Sequence, residues 1–221
     1  MTETPPWALQ AVLFDMDGTL VDSEKLWQVA LDDLAAHFGG VLSAPTRAAM
    51  VGTNMAVSMR LFHDDLGLGD DLLTSQHLLE TRVKELFTLE LPWRLGAQEL
   101  LHEVRAAGVP TALVTATHRH VVEVMLPTLG AEHFDVVVTG DEVTHSKPHP
   151  EPYLTAASLL GVDPTRCVAI EDSPTGAAAA EAAGCTVLAV PSEVVVPPGE
   201  RRTIRDSLTG VDLPYLRGLL T

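Results

Sequence analysis

Apolar and polar positions follow two textures along this chain. Residues 11–14 form an unbroken apolar run, Ala-Val-Leu-Phe, which suits a central parallel strand buried on both faces. From 23 onward the apolar positions recur at helical spacing. Ser23 is a candidate N-cap for a helix over 24–38, with Leu26, Val29, Ala30, Leu34 and Phe38 on one face and Gly39-Gly40 ending it. A second helical region spans about 45–66 and is interrupted at 52–54. A third spans about 70–91, with Leu72, Leu73, Leu79, Val83, Leu86 and Phe87 as its apolar stripe. No strand pattern occurs between 23 and 91, so this stretch reads as a compact helical insertion.

From Pro92 the texture changes to alternating helix and strand. Helices are predicted over 97–107, 120–129, 152–160, 177–183 and 212–220, and strands over 109–115, 134–139, 167–170 and 186–190. Gly108, Gly130, Gly161 and Gly184 punctuate the pattern, Ser173-Pro174 is an N-cap and first-turn pair, and 191–199 is a proline-rich loop. Strands that alternate with helices give an α/β fold with a doubly wound parallel sheet and right-handed crossovers. The predicted division is an α/β core of 1–22 and 92–221 and a helical cap domain of 23–91.

In such a sheet, ligands bind beyond the carboxyl ends of the strands. Those ends carry Asp15 and Asp17, then Thr115, then Gly140-Asp141, then Glu171 and Asp172. Each has a plain structural explanation. An Asp-x-Asp-Gly is also an acidic turn that caps a strand, and Thr115 has ordinary strand propensity. A calcium loop fits less well, because the third aspartate and the closing glutamate are absent. Taken together, these residues form a site.

Composition narrows the partners. The chain has 221 residues, is 46% hydrophobic and carries a formal net charge of −16. That acidity argues against nucleic acid or an anionic membrane as a partner. Cys167 and Cys185 lie in apolar stretches without metal-type spacing and read as buried free thiols. No signal peptide and no apolar run of membrane-spanning length appears, so a cytoplasmic protein is expected, a monomer or weak homodimer.

The site suits phosphoryl transfer to a carboxylate. Asp15 can be the nucleophile and Asp17 the general acid and then base. Asp15, the backbone carbonyl of Asp17 and Asp172 offer the hard oxygen donors that Mg2+ prefers, and Glu171 can hold a metal-bound water. The Thr115 hydroxyl and the amides that follow it, beginning at Ala116, can bind phosphate. A loop lysine is ordinarily solvated, but Lys147 stands between prolines in His145-Ser-Lys-Pro-His-Pro150 and provides a fixed cation. His118, His120, His145 and His149 match no helical ligand pair with a third partner, so they read as surface residues or as residues behind a site rather than as zinc ligands.

Four motifs, Asp15-Met-Asp-Gly-Thr-Leu-Val-Asp22, Leu113-Val-Thr-Ala-Thr117, Ser146-Lys-Pro-His-Pro150 and Ile170-Glu-Asp-Ser-Pro-Thr-Gly176, resemble the haloacid dehalogenase-like superfamily in order and spacing. The resemblance is to the group with a helical cap inserted after the first motif. It implies a Rossmann-like core, a mobile cap and Mg2+-dependent chemistry through an aspartyl-phosphate. It assigns Asp15 as nucleophile, Asp17 as acid/base, Thr115 and Lys147 as phosphoryl ligands, and Asp172 with Glu171 as the metal end. An aspartate at position 17 sets the chain apart from the family's dehalogenases and phosphonatases. The cap segment expected to face the core, 50–55, contains Gly52, Thr53 and Asn54 but no cation, and Trp27 stands where the sugar mutases of the family have a catalytic histidine. Trp27, Gly52 and Asn54 are thus the candidate specificity residues. The expected activity is hydrolysis of a small sugar or sugar-alcohol phosphate. A β-phosphoglucomutase-like sugar phosphomutase is the enzymatic alternative, and a non-catalytic phosphate-binding protein the remote one.

Overall fold

The computed structural model describes residues 8–50, 53–89 and 91–220. The chain begins with β1 (Ala11–Phe14) and continues through α1 (Glu24–His37), α2 (Ala44–Met50), α3 (Met55–Leu66) and α4 (Leu72–Leu89). It then alternates through α5 (Ala97–Ala106), β2 (Thr111–Val114), α6 (Arg119–Leu129), β3 (Val136–Val138), α7 (Glu151–Leu160), β4 (Cys167–Glu171), α8 (Pro174–Ala182), β5 (Thr186–Ala189), β6 (Arg202–Ile204) and α9 (Leu213–Gly218). The strands form one sheet in the order β3-β2-β1-β4-β5-β6, and every neighbouring pair is parallel. β1 is central, with Phe14 opposite Leu113 on one side and Ile170 on the other.

The side-chain alternation of β1 serves two cores. Val12 and Phe14 pack with residues of α5, α6 and α9, while Ala11 and Leu13 face α7 and α8 on the opposite side. The second core is built from small side chains. Ala177, Ala179 and Ala180 of α8 are fully buried, so that helix lies close to its strands. Cys167 and Cys185 are buried free thiols, and burial pushes both up to about 12. No helix among the described residues is long and apolar enough to cross a membrane.

The helices between β1 and α5 stack on one another, with α4 against α1 and α3 and also against α6 beside the sheet. Trp27 of α1 meets Phe87 of α4 edge-on at 5.9 Å. The chain leaves and returns at adjacent points. The Asp22 amide donates to the Pro92 carbonyl and the Arg94 amide to that of Leu20, both at 2.8 Å.

Several sequence expectations shift. The buried stripe of α1 is narrower than predicted, since Val29 and Phe38 are exposed. Leu73 of α4 is 78% exposed, and of the predicted apolar stripe the helix buries the i+4 series Leu79, Val83 and Phe87, together with the polar Ser75 and Glu80. α8 starts at Pro174 rather than at 177, because the predicted N-cap Ser173 is in place, its Oγ accepting from the Gly176 amide at 3.1 Å. Ser23 is not a side-chain cap. It has helical backbone angles, and its hydroxyl is engaged elsewhere. β6 was not predicted. It is a three-residue edge strand behind the proline-rich loop, and its Arg202 is tied to Glu181 at 2.6 Å.

Candidate active site

The carboxyl edge of the sheet gathers the acidic residues. Asp15 follows β1, and its amide is held by the Ile170 carbonyl of β4 at 3.0 Å. Glu171 ends β4 and Asp172 follows it, so three carboxylates meet where β1 and β4 run side by side. One oxygen from each of Asp15, Glu171 and Asp172 lies within 4.8 Å of the others, and all three residues are buried. Two glycines make room for them. Gly18 has a φ of 76°, and a Cβ there would strike the Asp172 carboxylate and Ser192 Oγ. A Cβ on Gly176 would strike the Glu171 carboxylate.

Lys147 lies across this cluster. Its buried ammonium donates to Asp15 Oδ1 and Glu171 Oε1, both at 2.6 Å, and to the Val114 carbonyl at 2.9 Å. The Tyr153 hydroxyl donates to Glu171 Oε1 at 2.5 Å, and Ser173 Oγ to Glu171 Oε2 at 3.2 Å. The Tyr153 ring also lies 5.2 Å from the ammonium. Burial alone would lower the Lys147 pKa, but the charges of Asp15 and Glu171 hold it above the ordinary lysine value, so the ammonium persists. Burial pushes the Asp15 carboxyl up to about 7, with Lys147 pulling the other way and Glu171 adding to the rise. Asp172 is pushed well above the carboxylate range by burial and then by the Asp15 and Glu171 charges, against a hydrogen bond from Ser192. With all ionised, three carboxylates and one ammonium leave two negative charges in a buried, all-oxygen cluster. That donor set fits a hard divalent cation such as Mg2+.

Asp17 is turned toward different partners. Its Oδ1 accepts from Ser23 Oγ at 2.6 Å and Trp27 Nε1 at 3.0 Å. Its Oδ2 accepts from Thr117 Oγ1 at 2.7 Å and, more weakly, from Thr115 Oγ1 at 3.4 Å. Thr115 Oγ1 in turn accepts from the Thr117 amide at 3.1 Å. Ala116 sits half-buried between these threonines at the end of β2. The Asp17 carboxylate thus carries donors from the start of α1 and from the β2 end, and lies outside the three-carboxylate cluster.

Of the candidate specificity residues, Trp27 reaches the site through its bond to Asp17. The side-chain oxygen of Asn54 is occupied with capping α3, accepting from the Val57 amide at 3.0 Å. Gly52 lies outside the described residues. Ser23, Thr117 and Ser192 were not identified from sequence. The spacing of Thr117, two residues after Thr115 at a strand end, was the available signal. The histidines need a correction, because third partners do exist. Glu80 of α4 joins His118 and His120, and Glu151 joins His145 and His149. Glu80 comes from the helical stretch before β2, where spacing within the histidine segment could not reveal it.

Buried carboxylates at the carboxyl edge of a parallel sheet, bridged by a buried ammonium, define an α/β protein with a site suited to a cation. The chain belongs to the haloacid dehalogenase-like hydrolases, whose family model matches residues 9–184. It is 33% identical over 181 residues to hexitol phosphatase A of Escherichia coli, covering 80% of this chain and 81% of that protein. It is 32% identical to the phosphorylated carbohydrates phosphatase of Thermotoga maritima, covering 80% and 82%. The crystal structure of CbbY from Rhodobacter sphaeroides in complex with phosphate superposes with a TM-score of 0.83 at 27% identity, covering 94% of this chain and 99% of that one. A variant of the same CbbY solved with xylulose-(1,5)bisphosphate gives a TM-score of 0.82.

Proposed function

We propose that the protein is a Mg2+-dependent phosphatase that hydrolyses a small sugar or sugar-alcohol phosphate through an aspartyl-phosphate on Asp15. The observation that carries this reading is the buried Asp15–Lys147 pair, with Asp17 two residues away and hydrogen-bonded from both sides of the crevice. Lys147, the Thr115 hydroxyl and the Ala116 amide bind the phosphoryl oxygens. A carboxylate oxygen of Asp15 attacks phosphorus while the ester oxygen leaves, and Asp17, protonated for this step, gives that oxygen its proton. After the alcohol departs, water attacks the same phosphorus, Asp17 takes its proton, the bond to Asp15 breaks, and inorganic phosphate is released.

Asp15, Asp172 and the Asp17 carbonyl would hold Mg2+, with Glu171 behind them. The ion supplies the positive charge that lets a phosphate dianion approach a carboxylate. The stretch 23–91 acts as a lid over the crevice, and its adjacent crossings at Leu20–Asp22 and Pro92–Arg94 permit a rigid-body movement. The relatives named for hexitol and carbohydrate phosphates support the substrate class. Hydrolysis is favoured over mutase activity because Arg47 is engaged with Asp32 of α1 and Trp27 holds Asp17. The test is phosphate release from a panel of hexose, hexitol, pentulose and glycerol phosphates, with and without Mg2+. Release should require Mg2+ and favour polyol or sugar esters. Hydrolysis indifferent to EDTA would overturn the metal assignment, and a complete absence of turnover would overturn the enzyme reading.

A further inference from the structure

Glu80 on α4 is a buried carboxylate at the place where the helical stretch meets α6. Its side chain is only 4% exposed, and its ion-pair partners are two imidazoles. His118 Nδ1 lies 2.9 Å from Glu80 Oε1, and His120 Nε2 lies 3.1 Å from Oε2. The Gln76 amide, one turn earlier on α4, donates to Glu80 Oε1 at 3.1 Å and approaches His118 Nδ1 at 3.2 Å. Two histidines two residues apart would point away from each other on a regular helix. Here His118 is the extended N-cap residue of α6, with φ −74° and ψ 149°, and His120 is in its first turn, so both rings turn toward Glu80.

Two neutral imidazoles cannot balance a buried carboxylate. The hydrogen bond to Glu80, then the Glu80 and Asp141 charges, hold the His118 pKa above the ordinary imidazole value against burial, so the cluster favours a positive charge, either a proton on His118 or a metal ion. A tetrahedral zinc ion with bonds of about 2.0–2.1 Å sets its donor atoms roughly 3.3 Å apart. Each imidazole nitrogen lies within a few tenths of an ångström of that spacing from its own Glu80 oxygen, His118 Nδ1 from Oε1 and His120 Nε2 from Oε2. One donor atom from each of the three residues lies within 4.8 Å of the other two, so a small turn of the carboxylate would bring a single oxygen to both nitrogens. The His120 side chain is 45% exposed, which provides an entry path and room for a water as fourth ligand. The other histidine cluster is weaker. His145 and His149 are exposed, the Glu151 carboxylate already accepts from the Thr144 and His145 amides, and His149 Nδ1 accepts from the Glu151 amide at 3.2 Å.

We propose that Glu80, His118 and His120 form a zinc-class transition-metal site, separate from the oxygen-only cluster at Asp15, that ties α4 to α6. Two imidazoles and one carboxylate suit Zn2+ or Co2+ and discriminate against Mg2+, which takes hard oxygen ligands. The site rests on its own geometry rather than on the phosphatase chemistry, and a metal bound there would hold the 23–91 stretch against α6 in the position seen here.

The test uses the full chain, stripped of metal and kept in excess Mg2+ so that the carboxylate cluster is filled. Co2+ is titrated in and followed by its visible absorption, then displaced with Zn2+. One equivalent should give the intense bands of a tetrahedral nitrogen–oxygen site and be released by Zn2+. His120→Ala, at a half-exposed position, and Glu80→Gln, which keeps its shape, should each lose these bands while retaining native circular dichroism. The affinity loss should be at least the 10–100-fold typical of removing a residue behind a metal site. His149→Ala should retain the bands. Absence of tetrahedral bands in the wild type, or their persistence in His120→Ala, would overturn the proposal. Failure to bind metal, combined with a pH-dependent stability loss abolished by Glu80→Gln, would instead identify a protonated imidazole–carboxylate pair.

Discussion

Replacing Lys147 with methionine preserves the length of the side chain but removes the ammonium that lies between Asp15 and Glu171. Both carboxylates stay buried without their cation. Breaking a buried ion pair from one side typically costs about 3–5 kcal/mol. That is a large fraction of the roughly 5–15 kcal/mol that holds a domain folded. In a chain of this length it corresponds to a fall in Tm on the order of 10 °C. The sign with pH follows from Asp15, whose carboxyl is raised to about 7 in the native protein. A raised acid binds its proton more tightly when folded. Its stabilising contribution is therefore complete below the unfolded carboxyl value of about 3.9 and is lost as the pH rises through the folded value. In Lys147→Met the folded value moves higher still, so the loss continues above neutral pH. The assay is urea unfolding of both proteins at pH 5 and pH 8 in EDTA. Lys147→Met should be modestly weaker at pH 5 and weaker by several kcal/mol at pH 8, with added Mg2+ recovering part of the difference. A deficit equal at the two pH values, or below about 1 kcal/mol at pH 8, would refute the electrostatic account of the site.

Asp15→Asn should keep the fold and lose turnover by several orders of magnitude, since an amide is a poor nucleophile; wild-type-like phosphate release would remove Asp15 from the mechanism. Trp27→Phe keeps the edge-on contact with Phe87 but removes the indole donor to Asp17. Its kcat should fall about tenfold, or about 1.4 kcal/mol in the barrier, with little change in Tm, and an unchanged kcat would show that this hydrogen bond does not position the acid. Incubation with β-glucose 1-phosphate and a trace of glucose 1,6-bisphosphate should release phosphate rather than accumulate glucose 6-phosphate, and efficient isomerisation would reverse the preference for hydrolysis.

Much of the core architecture was legible in the chain. The apolar run of β1, the glycines after the helices and the acidic strand ends each follow from local chemistry. Boundaries set by a side-chain cap were legible: Ser173 caps α8 as its Ser-Pro pair suggests, although the helix begins at 174 rather than 177, and α3 begins after Asn54, where the predicted interruption ends. The site was legible in its acids and lysine but less so in their partners. Ser23 reads as a cap, because nothing local distinguishes a hydroxyl that turns to a helix end from one that turns to Asp17. Glu80 reads as a polar helix residue until α4 is packed against α6. β6 has too few residues, and too polar a sequence, to produce a period of its own.

The pairing of Leu20–Asp22 with Pro92–Arg94 has a consequence for how such a chain can change over generations. The two ends of the stretch between them already lie side by side, so a replacement of different length or shape can be spliced in without separating any strands of the sheet. The clustered acids Asp15, Glu171 and Asp172 all lie outside that stretch. Recombination at this junction can therefore exchange the stretch between these points while leaving the carboxylate cluster and Lys147 in place. Ser23 and Trp27, just past the splice point, would have to travel with the acid they hold, and Glu80 with His118 and His120.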